Sequence, residues 1–369
     1  MLILLDCRPL QFAGPDSEKS RLLFSVAAAL TRERDWQWLL LADKTTPPGS
    51  FPELPGQTLL IKRALPGRIG WRLWYDWQIP RLAKKHKANL VMLTGGVAAG
   101  DTLVPQCLWM PERADSTRGR GIPPVYAGRL GESLRRAAAV FCFSGRDRDW
   151  LTARVKTAAD KLVVIYPSPV AAISPLPPVD RESLKAEFAQ GKEYFFADVT
   201  AAREEGVIHL LKAFSLFKKR QLSNLQLVVT GIAAEGLQEK LDTYKYREAV
   251  HWRQPSAGIS DRAHARLLAG AYAALFLFDG NSLGTSVLNA WKAGVPVLLT
   301  AGSRLQEMAG DAAIYADGAD DAALAANLMS VYKDETLRSQ LIQRGLTRIA
   351  EFGADRASAA VREAIDKII

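Results

Sequence analysis

Short apolar runs alternate with stretches of helical spacing along the whole chain. In the first half the runs fall at Leu2–Cys7, Trp36–Ala42, Thr58–Lys62, Asn89–Thr94, Gln106–Met110, Ala138–Ser144 and Lys161–Tyr166. Between them, Leu22, Leu23, Val26 and Leu30 follow an i, i+4, i+8 pattern, as do Leu130, Leu134 and Ala138. That spacing puts the apolar groups of each stretch on one helical face. Strands that are apolar throughout, with no polar alternation, are buried on both sides. The pattern therefore predicts a parallel sheet covered by helices on both faces.

The rhythm breaks at Pro167, where five prolines fall within residues 167–178. Proline fixes φ and removes a backbone donor, so an extended linker is expected here. The alternation then restarts. Strands are expected at Tyr194–Val199, Leu225–Thr230, Val250–Arg253, Ala274–Phe278, Val295–Leu299 and Ala313–Tyr315. Helices are expected at Gly206–Lys219, Arg262–Gly270, Ser286–Ala293, Ala322–Lys333 and Thr336–Glu351. The fold class is thus α/β, with two Rossmann-like doubly wound lobes: residues 1–170, a proline-rich linker at 171–190, residues 191–353, and a closing segment at 354–369. Ligands of such sheets bind beyond the carboxyl ends of the strands, where strand order reverses, so an interlobe cleft is the expected binding place.

Composition narrows the class. A chain of 369 residues is too long for one ordinary core. With 48% hydrophobic and 24% charged residues, it reads as a soluble globular protein. Cys7, Cys107 and Cys142 each sit in an apolar run and have no paired spacing, which reads as reduced core thiols of a cytoplasmic protein. His86, His209, His251 and His264 are scattered, so neither a zinc-type metal site nor a cofactor is expected. The first residues reach Asp6 after four apolar side chains without a basic start, which reads as a buried strand and not a signal peptide. No apolar run approaches the ~20 residues of a membrane span.

Charge divides the chain. Residues 1–170 hold 25 Lys/Arg against 15 Asp/Glu, a net of +10, and the remainder holds 23 against 24, a net of −1; together they give +9. A basic first half points to an anionic partner: nucleic acid, anionic phospholipid, or an acidic or pyrophosphate-linked substrate.

The segment Asn281-Ser-Leu-Gly-Thr-Ser-Val-Leu-Asn-Ala-Trp-Lys-Ala-Gly-Val-Pro-Val has the form of a loop, a helix and a strand. With Ser303-Arg-Leu-Gln-Glu-Met-Ala-Gly-Asp-Ala-Ala, Asp320, the Leu337, Leu341, Gly345 spacing and Glu351-Phe352, it resembles the C-terminal lobe of the family-4 retaining glycosyltransferases, which have the GT-B fold. Gly206-Val-Ile-His-Leu-Leu-Lys-Ala-Phe resembles the first helix of that lobe. Trp71-Arg-Leu-Trp-Tyr-Asp-Trp-Gln-Ile-Pro-Arg-Leu resembles the tryptophan-rich helix of the other lobe, and Ala354–Ile369 the helix that returns to it.

The resemblance implies a nucleotide-diphosphate sugar whose departing diphosphate is stabilised by cations and helix amides. The family's Arg and Lys at that phosphate fall here on Thr200 and Glu205, with Arg203 either a substitute or a solvated loop charge. Its two glutamates fall on Asn281 and Asn289. Asparagine keeps the shape and one acceptor but drops the charge. Gly284, Thr285 and Ser286 remain at the helix start, with Ser286 as N-cap, offering amides to a phosphate or simply beginning a helix. Trp291 reads as core. In the first lobe the glycine-rich loop keeps Gly14, followed by Ser17, Glu18, Lys19 and Ser20; Trp109-Met110 takes the place of a His-Asp, and Ser168-Pro169 that of an Asn-Gly. Asp6, Asp115 and Asp279 are further acids near expected strand ends.

This pattern keeps the family's structural residues and loses its charged ones. It favours a donor site that is degenerate and a protein acting as a non-catalytic or partner subunit in bacterial surface-glycan assembly, alongside a partner glycosyltransferase. The alternatives are an active, divergent transferase acting on a lipid-linked or glycan acceptor, and a basic membrane- or nucleic-acid-binding protein reusing the fold; nucleic acid is the least favoured partner. Lys84, Lys85, Lys87, Arg118, Arg120, Arg135 and Arg136 are candidates for an anionic membrane surface, with the protein cytoplasmic and peripheral at the inner face.

Overall fold

The computed structural model describes residues 1–13, 17–34, 36–46, 51–62, 64–110, 127–154, 159–199, 204–231, 237–253, 261–277, 282–317 and 319–369. The chain forms two compact units, Met1–Ser168 with Gly353–Ile369, and Pro169–Phe352.

The first unit holds a sheet of strands β1 (Leu2–Asp6), β2 (Gln37–Asp43), β3 (Gln57–Lys62), β4 (Leu90–Leu93), β5 (Gln106–Trp109), β6 (Ala139–Cys142) and β7 (Leu162–Val164). The order is β3-β2-β1-β4-β5-β6-β7, and every pairing is parallel. Strand order reverses between β1 and β4, which defines the switch point. The second unit has β8 (Tyr194–Asp198), β9 (Gln226–Thr230), β10 (Val250–Arg253), β11 (Ala273–Phe276), β12 (Val297–Thr300) and β13 (Ala313–Ala316) in the order β10-β9-β8-β11-β12-β13, again all parallel. Here the switch point lies between β8 and β11. Both sheets are the doubly wound α/β arrangement the apolar runs predict, and β1, β4, β5 and β9 are buried along almost their whole length.

One stretch departs from expectation. The proline-rich segment is irregular only up to residue 177; Pro178–Ala189 is a helix. Proline suits the first helical position because the N–H it lacks has no partner inside the helix, and its φ is already helical. The prolines that argue for an extended linker thus also start a helix. The short helices Leu237–Asp242 and Arg304–Ala309 likewise go unannounced by spacing.

The C-terminal helix Ala354–Asp366 packs on helix Glu18–Glu33 of the first unit. Ala357, Val361 and Ile365 make its buried stripe. Arg34 meets Asp366 at 2.7 Å, and Arg362 pairs with Glu33.

The tryptophan-rich segment is one rod from Gly67 to Lys85 with a π turn at Trp74–Gln78. Its origin is Pro80. In the π register Ile79 donates to the Trp74 carbonyl, and the next donor, due to the Tyr75 carbonyl, is the N–H that proline lacks. Gly100 supplies it, donating to the Tyr75 oxygen at 2.9 Å. Only glycine fits there, because a Cβ would lie 2.7 Å from the Asp76 oxygen. The buried Arg8 fixes the same rod to β1. Its guanidinium lies 3.9 Å from the Trp71 ring centroid and 5.0 Å from that of Trp74, and it donates to the Leu65 carbonyl at 2.9 Å.

Candidate functional site

The second-unit candidates follow from the switch point. β8 and β11 are parallel neighbours, so the helices that follow them, Glu204–Gln221 and Thr285–Lys292, both start at the carboxyl edge of the sheet. A helix start carries unpaired amides and a partial positive charge, which suits an anion. Thr200, Arg203 and Asn281 lie outside the described residues, as do Gly14, Arg118, Arg120, Asp115 and Asp279.

At the first of these helix starts stand two carboxylates. Glu204 and Glu205 occupy the first turn, Glu205 exposed. Both complement the helix dipole, a role a bound phosphate would otherwise take. Lys240, from helix Leu237–Asp242, reaches Glu204 and forms an ion pair with it. Nearby at the strand ends, Asp198 closes β8 and Thr230 closes β9. His264 Nε2 lies 3.7 Å from the Asp198 carboxylate and 3.4 Å from Thr230 Oγ1, with its ring edge-on to Phe196. Sequence reasoning missed Lys240, Asp198, Thr230 and His264. The available signal was a polar residue closing each apolar strand, as in Tyr-Phe-Phe-Ala-Asp and Gln-Leu-Val-Val-Thr.

The second helix start is built on Gly284. This residue, and not Ser286, is the N-cap; its φ of 102° is one that only glycine adopts without strain. A Cβ there would lie 2.5 Å from Met308 Cε. Thr285 is buried at the first helical position and Ser286, half-buried, at the second. Gly284, Thr285, Ser286 and Asn289 therefore share one short helix. Asn289 is buried, and its Oδ1 accepts the Val170 N–H at 2.9 Å. One turn on, Lys292 Nζ donates to the Val170 carbonyl at 3.0 Å and the Ala171 carbonyl at 2.9 Å. Asn289, which stands where the resemblance puts one of the family's glutamates, holds the backbone at the beginning of the unit. Trp291 is buried, as its spacing implies, and Gly345 passes so close that a Cβ would lie 2.4 Å from its Cδ1.

In the first unit, Ser17 caps helix Glu18–Glu33. Its side chain accepts from the Ser20 N–H at 3.2 Å, and its hydroxyl donates to Ser20 Oγ at 2.9 Å. Ser20 is buried. Lys19 is buried too, and its ammonium donates to the Thr94 carbonyl at the end of β4, across the switch point from β1. Trp109 is wholly buried on β5, its ring 5.0 Å from Phe141 and 6.2 Å from Phe143. That position packs the sheet and faces no solvent. Asp6, which ends β1, is buried as well. Desolvation pushes its carboxyl up to about 6, opposed by hydrogen bonds from the Trp74 indole, the Arg8 amide and the Tyr75 hydroxyl. The three cysteines are free and buried. Among the described residues, no three His, Cys, Asp or Glu side chains are grouped to hold a metal ion, and no helix is long and apolar enough to cross a membrane.

Comparison with known proteins follows the same lines. Residues 180–348 match the family model described as glycosyl transferases group 1. No curated protein sequence matches the chain. Among solved structures, a sucrose-phosphate synthase from Thermosynechococcus elongatus is similar at TM-score 0.73 and 14% identity, covering 100% of this chain and 99% of its own. Anabaena HepE, solved with UDP and glucose, gives 0.71 and 12%, covering 100% of both chains. WaaG, a glycosyltransferase involved in lipopolysaccharide biosynthesis, gives 0.67 and 16%, covering 98% of both. The chain therefore has the GT-B fold of these structures, and residues 180–348, within its second unit, match the glycosyl transferases group 1 model.

Proposed function

We propose that the protein serves bacterial surface-glycan assembly as a non-catalytic or partner subunit with a degenerate donor site, working beside an active glycosyltransferase. The observation that carries this reading is the start of helix Glu204–Gln221. Two carboxylates occupy the first turn where the resembled enzymes meet a diphosphate, and the cation brought there, Lys240, is already neutralised by Glu204. An approaching diphosphate meets like charge and a compensated dipole. Asn289 supports the reading, since its acceptor oxygen is engaged by Val170. Thr200, Arg203 and Asn281 enter it only by the family resemblance.

A second reading is an active, divergent transferase that takes a nucleotide-diphosphate sugar to a lipid-linked or glycan acceptor. It is favoured by the His264, Asp198 and Thr230 cluster at the same sheet edge, where a titratable group stands beside a carboxylate. The two readings part in one assay. Purified protein is incubated with a panel of nucleoside-diphosphate sugars, and nucleotide release is followed with and without acceptor glycolipid. The first reading predicts no release above background. Release that is lost in His264→Ala supports the second.

For location we propose the cytoplasm, with peripheral attachment at the inner face of the membrane.

A further inference from the structure

The rod Gly67–Lys85 presents an uncovered apolar stripe. Leu65, just ahead of it, is 49% exposed, Ile69 72%, Leu73 46% and Trp77 57%. The spacing is four residues at each step. In a plain α-helix such a stripe drifts around the axis, but the wider π turn between Leu73 and Trp77 opposes the drift and keeps Trp77 beneath Leu73. The opposite face of the rod, with Trp74, Tyr75, Ile79 and Leu82, is buried in the core, so the rod is held rigidly with its apolar edge outward.

The surroundings of the stripe are cationic. Residues 64–87 contain Arg68, Arg72, Arg81, Lys84, Lys85 and Lys87, all exposed, and a single acid, Asp76. Asp76 is engaged by Arg129 at 2.6 Å and by Arg72 at 3.7 Å. Arg81 lies over the Trp77 ring, 4.9 Å from its centroid. An indole with an arginine guanidinium over its face has an apolar body and a charged rim, the arrangement that suits the boundary between acyl chains and headgroups.

We propose that this stripe docks on an anionic phospholipid leaflet, with Ile69, Leu73 and Trp77 entering the headgroup–acyl boundary and the six cations meeting lipid phosphate. Charge selects this occupant over a second copy of the chain: two copies meeting through the stripe would place six cations against six, whereas an anionic surface complements them. This surface deepens the peripheral placement proposed above and is independent of the state of the donor site. Nucleotide release tests that site, and vesicle binding tests this one.

The test is co-sedimentation of the full chain with phosphatidylcholine vesicles, with and without phosphatidylglycerol, alongside light scattering for oligomeric state. The proposal predicts binding to the anionic vesicles only, weakened by salt. It predicts a loss of roughly tenfold or more in Ile69→Ser/Trp77→Ser and a comparable loss in Arg81→Glu/Lys84→Glu. Leu103→Ser, exposed elsewhere on the same unit, should bind as the parent does. All these side chains are exposed, and thermal melting confirms that each variant is folded; should the apolar pair fail to fold, the charge pair decides alone. No binding to anionic vesicles, or binding indifferent to both pairs, overturns the proposal. So does a dimer that dissociates in Ile69→Ser/Trp77→Ser, since the stripe would then belong to a second copy.

Discussion

Asn289 accepts the Val170 N–H through its side-chain oxygen at 2.9 Å, across 119 residues of sequence. The bond joins the helix after β11 to the first residues of the second unit, and Lys292 secures the same two residues through their carbonyls. An asparagine in this position thus has a structural task that needs no ligand.

Removing it has a definite cost. Asn289→Ala leaves the Val170 N–H without its partner and should lower stability by about 1–3 kcal/mol. Urea unfolding measures this. The same variant should leave any response to nucleotide unchanged, because the side chain is committed elsewhere.

Gly345 and Trp291 make a second test. A Cβ at residue 345 would lie 2.4 Å from Trp291 Cδ1 and 2.7 Å from Cγ, both atoms of a buried ring. Gly345→Ala should destabilise by about 1–3 kcal/mol through overpacking. Trp291→Ala in the same chain removes both of those ring atoms and leaves room for the added methyl, so the double variant should cost less than the sum of the single ones. Additive costs would show that the ring and the glycine do not press on each other.

Asp6 gives a pH signature. Burial raises its carboxyl from 3.8 to about 6 in the folded state, so the native protein holds this proton more tightly than the unfolded chain does. The associated stability is fully present below about pH 4 and is lost as pH rises to about 6. In Asp6→Asn that loss is absent. The stability of the variant minus that of the parent should grow by roughly 3 kcal/mol between about pH 4 and 6 and stay level above. A difference that is flat across this window contradicts a raised carboxyl.

How much of this could be read beforehand depends on sequence separation. Most of the strands among the described residues were legible because buried parallel strands are runs of apolar residues, a local property; β3 and β10, at the sheet edges, are only partly buried. Helix Pro178–Ala189 was not, because a proline that opens a helix and one that breaks it look alike without knowledge of the first turn. Gly284 was marked by its neighbours, but its capping role, which fell by expectation to Ser286, depends on Met308 and Leu305 packing over it. Trp109 stood at a family site position, yet its ring is spent on Phe141 and Phe143. The partner of Asn289 and the pairing of Glu204 with Lys240 join residues 119 and 36 apart, and no local pattern encodes such contacts. The uncovered stripe on the rod was equally hidden, since Leu65, Ile69, Leu73 and Trp77 have the spacing of an ordinary buried face.

The central claim is a donor position without its electrostatics, and calorimetric titration with UDP tests it most directly. The parent protein should give no binding heat up to about millimolar nucleotide, and Asn281→Glu/Glu205→Lys, which spares the Asn289–Val170 bond, should bind more tightly than the parent. Binding by the parent at about micromolar Kd, unimproved by those two substitutions, would contradict the account.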